Sequence, residues 1–183
     1  MLRNTKTSWG SASRAFHWVL GVLILAMLGY GYWMNHFAAR PDRFFHRSIH
    51  ADIGYVILLL LVLRILWRIF NPSPELPVGT PRWERVVAWV NHAVLYLVTF
   101  VVAMLGWALS GARTPDYASF FGWFRVPQFT SPDKAAARAY EENHIWGAYI
   151  LMALVVLHVL AALYHHFYKR DRVLMRMVDG RSG

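Results

Sequence analysis

Four long apolar runs, each bounded by charged or proline-rich residues, set the pattern of this chain. They cover about 15–34, 50–70, 86–109 and 144–168. A hydrocarbon layer about 30 Å thick takes about 20 helical residues to cross. Backbone in lipid must satisfy its own hydrogen bonds, so each run predicts a spanning helix. The expected fold is all-α, an integral membrane four-helix bundle, with residues 1–183 as one domain and no internal repeat. Asn35 to Ile49 forms a short basic connection. Asn71 to Arg85 holds Pro72, Pro74, Pro77 and Pro81 and predicts an extended link. Ser110 to Asn143 is the longest connection, aromatic and polar. The first run follows a basic stretch, as the apolar part of a signal peptide does. Its length, and His17 near its start, predict a retained helix instead.

Composition narrows the class. The chain is 57% hydrophobic and 16% charged, as a membrane protein is and a soluble domain is not. The formal charge of +9 raises the question of nucleic acid. The basic residues cluster at the ends of apolar runs, which excludes that reading. Twelve Lys and Arg fall with the two termini and the proline link, against seven with the other connections. The bias of Lys and Arg toward the cytoplasmic side places both termini there. No cysteine is present, which removes disulfides, thiolate zinc, iron–sulfur clusters and covalent haem attachment.

Histidine carries the candidate chemistry. Ionisable side chains within a bilayer are costly and mark function by default. His144 and His158 lie on the last run, fourteen residues apart, which is roughly 21 Å along a helix with a net rotation of about 40°. One helix thus presents an imidazole near each side of the membrane. His50 begins the second run at the depth of His144, and His17 begins the first at the depth of His158. Two imidazoles facing each other at one depth hold a b-type haem, so the pattern predicts two haem b sites, His50 with His144 and His17 with His158. Small residues follow each on the same helix face: Gly21, Gly54, Gly147, and Ala161 with Ala162. Any one histidine is as readily explained by a hydrogen bond to a neighbouring helix. Four at paired depths are not.

His92 competes with His17 as the partner of His158. The bulky Leu95 and Tyr96 that follow it place it beside a haem or at a quinone site. His165 and His166 sit at the cytoplasmic boundary, where a snorkelling residue and a proton donor are equally good readings. Arg64 and Arg68 snorkel, or pair with haem propionates or a quinone oxygen. His36 and His46 read as ordinary polar residues of the outer connection. Histidines about 21 Å apart cannot share one ion, which counts against a zinc or copper transporter.

The stretches FHW at 16–18, SIHADIG at 48–54, RILWR at 64–68, NHAVLY at 91–96 and NHIWGAYILMALVVLHVLAALYHHFYKRD at 143–171 resemble the bacterial cytochrome b561 family of di-haem membrane cytochromes. The resemblance covers nearly the whole chain. It implies axial haem ligands at His17, His50, His144 and His158, favouring His17 over His92, and it implies quinone chemistry. One branch of the family oxidises superoxide at the outer face and reduces ubiquinone. On that reading Arg40, Arg43 and Arg47 steer the anion, although lipid headgroup contact explains them equally well, and His92 or His165 serves the quinone. Cytochrome subunits of hydrogenases and formate dehydrogenases share the histidine plan and imply the alternative, an electron-transfer subunit fed by a redox protein partner.

Overall fold

The computed structural model describes residues 1–39, 41–71, 73–76, 79–113 and 119–180. Its order is α1 (Ser11–His36), α2 (Arg43–Phe70), α3 (Arg82–Arg113), a hairpin of β1 (Ser119–Phe120) and β2 (Phe124–Arg125), α4 (Lys134–Tyr164), a π-helical turn (His165–Lys169) and α5 (Val173–Val178). All four long helices are apolar and long enough to cross a membrane, the last through Lys169.

The helices run past the apolar runs that announce them. α2 begins seven residues before His50 and α4 ten residues before His144. Amphipathic turns with Arg43, Arg47, Arg138 and Glu141 continue the helices outside the apolar stretch. The first connection is correspondingly shorter than Asn35 to Ile49. Asp133 starts α4 by accepting the Ala136 N–H at 2.8 Å, a side-chain cap. Pro81 immediately precedes α3, and Glu84 lies in its first turn, where an acid favours the helix dipole.

The chain divides into two compact units, to each of which every long helix contributes one part. The terminal unit holds Met1–Gly21, Leu60–Leu97 and Leu151–Gly183; the loop unit holds Val22–Leu59 and Val98–Ile150. Leu20, Leu61 and Leu151 are buried in the terminal unit, and Met27, Ile57, Leu58, Ala108 and Ala112 in the loop unit. Many other large apolar side chains on the four helices, such as Val22, Leu59, Leu97 and Leu157, are exposed, which suits a lipid surround.

In the terminal unit the ends are knitted by arginine. Buried Arg176 on α5 donates to the Glu75 carbonyl at 2.8 Å and to the Thr7 carbonyl, and burial lowers its pKa. Arg14 donates to Val178 O and Trp18 to Met177 O. Lys169 pairs with Glu84 at 2.5 Å. In the loop unit the hairpin region folds back on α2 and α3. Phe121 (φ 46°) gives its backbone N–H to Asp52, Trp107 donates to Pro127 O, and Thr130 to Ala108 O. Gly111 permits that last approach, since a Cβ there would strike Thr130.

Candidate functional site

In the loop unit α2 and α4 bring His50 and His144 face to face. Their ring centres are 5.9 Å apart and the planes cross at 78°. The Nδ1 of His144 lies 2.9 Å from the Val102 carbonyl on α3, so this nitrogen donates and leaves Nε2 its lone pair. The Nδ1 of His50 is buried with no partner among the described residues. Two glycines make room for the rings. A Cβ at Gly31 would stand 3.1 Å from His50 Cε1, and one at Gly106 would stand 3.1 Å from His144 Cε1. Tyr30 stacks near His50, with ring centres 6.3 Å apart, and its hydroxyl is 2.8 Å from His46 Nδ1.

In the terminal unit His158 has two imidazole neighbours. His17 on α1 lies 6.1 Å from it between ring centres, tilted by 59°, and His92 on α3 lies 5.4 Å away at 78°. His92 donates from Nδ1 to Ala88 O at 2.6 Å, which leaves Nε2 available. Asn91 Nδ2 stands 3.2 Å from His158 Nδ1. Arg64 donates to His17 Nδ1 at 3.1 Å, and Arg68 to the Tyr96 hydroxyl at 3.3 Å. Both guanidiniums lie over the Tyr96 ring, at 5.2 and 5.5 Å. A cavity of about 160 Å³ opens beside them, its lining including Arg64, Arg68, Arg85, His92 and Tyr96.

By ring separation these pairs fit bis-imidazole iron; in the terminal unit the donors on His17 Nδ1 and His158 Nδ1 put the ring proton on Nε2, so iron there requires the other tautomer. A metal about 2 Å from each facing nitrogen sets the ring centres roughly 6 Å apart. The separations of 5.9 and 6.1 Å meet that requirement. The space for a macrocycle also fits in part. Nothing lies within 4 Å of a Cβ built at Gly21 or Gly54, each one turn from its histidine. Gly147 serves a different end, because a Cβ there would stand 2.7 Å from Val102. Its bare Cα lets α3 and α4 approach closely, so its smallness is explained without a porphyrin. No group of three His, Asp or Glu suited to a metal ion occurs among the described residues.

The other sequence candidates fall as follows. Arg47 lies 3.5 Å from Glu141, which also pairs with Arg113 at 2.6 Å. Arg43 donates to Ala38 O at 3.3 Å. Arg40 lies outside the described residues. His165 sits on the π-helical turn and donates from Nδ1 to Asp171 at 2.5 Å. His46 belongs to α2 and bonds Tyr30, so it is more than a solvated residue of a connection. Gly31, Gly106, Tyr30 and Asp52 carry no signal in the sequence spacing, because each matters only through a segment elsewhere in the chain.

Apolar spanning helices that bring imidazoles together in pairs define a multi-pass membrane protein of electron transfer, built for b-type haem. The chain belongs to the prokaryotic cytochrome b561 family, whose pattern residues 8–180 match. It is 35% identical to cytochrome b561 homolog 2 of Escherichia coli K12, over 98% of this chain and 95% of the relative. It is 27% identical to a probable superoxide oxidase CybB of Yersinia pestis, over 91% and 93%. It is 28% identical to a cytochrome b562 of Cereibacter sphaeroides, over 73% and 68%. The family makes this a bacterial membrane cytochrome.

Proposed function

We propose that the chain holds two haems b, one in each unit, and carries electrons from superoxide outside the inner membrane to ubiquinone. The observation that carries this reading is the pairing of imidazoles in both units at separations suited to one iron each. His50 and His144 hold one group; His17 and His158 hold the other, with His92 the competitor for His17. The bound iron supplies a one-electron couple. Two superoxide ions each lose an electron and leave as dioxygen, and one ubiquinone gains two electrons and two protons. The net charge around Glu141 remains positive, since Arg47 and Arg113 face a single carboxylate, and that excess favours an incoming anion. His165, oriented by Asp171, and His92, at the cavity, are the groups placed to hold a proton for the quinone. The excess of Lys and Arg at the termini and proline link puts both ends in the cytoplasm; fusions of a periplasm-active reporter to the C-terminus, which are to stay inactive, test it.

The relative named a probable superoxide oxidase supports the choice of donor. The aromatic hairpin favours a second reading, a cytochrome subunit fed by a docked redox protein. Trp123 is 81% exposed, and Phe121, Phe124 and Phe129 are exposed around it. The test uses the purified chain in detergent with a superoxide-generating system and a water-soluble ubiquinone. Haem reduction by superoxide, reversed on adding quinone with formation of quinol, and both abolished by superoxide dismutase, supports the oxidase. Haems that stay oxidised under superoxide support the subunit.

A further inference from the structure

The terminal unit contains cations without a partner of opposite charge. Arg64 and Arg68 lie one turn apart on α2, inside a spanning segment, and both are half-buried. Arg64 bonds His17 and Tyr96, Arg68 bonds Tyr96, and these partners are uncharged. A guanidinium has five N–H donors, so most of that capacity is unspent. Arg85 also borders the cavity, with its Nε on the Thr80 carbonyl. No Asp or Glu lines the cavity among the described residues. Charges withdrawn from water are costly unless paired and hydrogen-bonded. Two guanidiniums stacked on one tyrosine are therefore a site built for an oxyanion, and guanidinium forks match carboxylates in two-point bonds.

We propose that Arg64 and Arg68, held over Tyr96, clamp the propionate carboxylates of the haem bound in the terminal unit. The inference rests on the haem reading above. Arg64 donates to the Nδ1 of His17, and an imidazole that ligates iron through Nε2 carries its proton on that nitrogen, so on the haem reading the guanidinium is released from the ring to take a carboxylate. A porphyrin of this type carries two propionates on one edge, and α2 offers two arginines on one face. A free or lipid phosphate shares the oxyanion chemistry and is the competing source. Tyr96 acts as a positioning residue, since its ring and hydroxyl hold the two guanidiniums side by side.

The full chain is purified in detergent as wild type and as Arg64→Gln, Arg68→Gln, Arg64→Lys and the control Arg125→Gln. Pyridine haemochrome counts the haems, resonance Raman reads the propionate bending band, and potentiometric titration resolves the two midpoints. In Arg64→Gln and Arg68→Gln, at two haems per chain, the propionate band moves. The same variants weaken reduction of one haem by about tenfold in its equilibrium constant, from loss of a nearby charge at partial burial. Arg64→Lys keeps the midpoint and still moves the band, because an ammonium lacks the fork; it and Arg68→Gln supply the answer if Arg64→Gln does not accumulate. Arg125→Gln moves neither. A band and midpoints unmoved in the Gln variants at full haem content overturn the clamp. So does a saturable shift of a wild-type midpoint on adding inorganic phosphate that Arg64→Gln abolishes while the Raman band stays in place. A wild-type chain with fewer than two haems defeats the haem reading instead, and is seen in the haemochrome alone.

Discussion

The loop unit and the terminal unit hold imidazole pairs at nearly equal separation but in opposite electrical company. Around His50 and His144 the neighbours are glycines, a tyrosine ring and a backbone carbonyl. The arginines of that unit nearest to Glu141 are engaged by it. Around His17 and His158 stand a third imidazole and two guanidiniums, with no carboxylate paired to them among the described residues. A nearby cation disfavours the oxidised, more positive iron, and so raises the reduction potential of what it surrounds. On the proposed function, two sites of one ligand chemistry acquire different potentials from their neighbours, and the difference runs the right way to draw electrons from the loop unit to the terminal unit.

The comparison breaks most sharply at the ligands. His144→Ala is expected to leave one haem per chain, measured by pyridine haemochrome, and to remove the lower of the two midpoints. In the terminal unit His17→Ala is expected to do the same to the higher midpoint, whereas His92→Ala keeps both haems. A His92→Ala chain with one haem would exchange the roles of the two residues. Next in size are the glycines under the rings. Gly106→Val and Gly31→Val press on an imidazole with a cost of about 1–3 kcal/mol in thermal stability and lower haem occupancy in the loop unit alone. Gly147→Ala carries a similar packing cost through Val102, with the haem spectrum unchanged.

Smaller effects sharpen the contrast. Asp52 is 3% exposed, one of its oxygens has no partner among the described residues, and the side chain accepts the Phe121 N–H. Asp52→Ala strands that N–H and is expected to destabilise by about 1–3 kcal/mol in thermal unfolding. Asp52→Asn keeps the acceptor and removes the buried acid, so its melting temperature is not lower than that of wild type. Glu141→Gln loosens a partly exposed ion-pair network, which is worth no more than about 1 kcal/mol. The same variant is expected to speed reduction by superoxide at low salt, because it frees Arg47 and Arg113; stopped-flow at two ionic strengths reads this, and the gain shrinks as salt rises.

The spans and the helix face shared by His144 and His158 were legible because both depend on local arithmetic. An apolar run long enough to cross a bilayer announces itself, and fourteen residues of helix return a side chain to nearly the same face. What crosses between helices was hidden. Gly147 reads from spacing like Gly54, yet one meets Val102 and the other open space. Gly31 and Gly106 stand under rings that belong to other helices, and no local pattern marks them. Asp52 in SIHADIG reads as a helix residue until a loop some seventy positions later brings its N–H. The π-helical turn at His165–Lys169 continues the last helix with no breaker in its sequence, and its end is set by Arg170 in the left-handed region (φ 53°), where no glycine warns of the stop.

Counting the iron tests the account most directly. The purified 183-residue chain, assayed by pyridine haemochrome against quantitative amino-acid analysis, is predicted to carry two haems b per polypeptide. A ratio of one or less in protein that retains its helical content contradicts it, because one of the two facing imidazole pairs would then hold nothing.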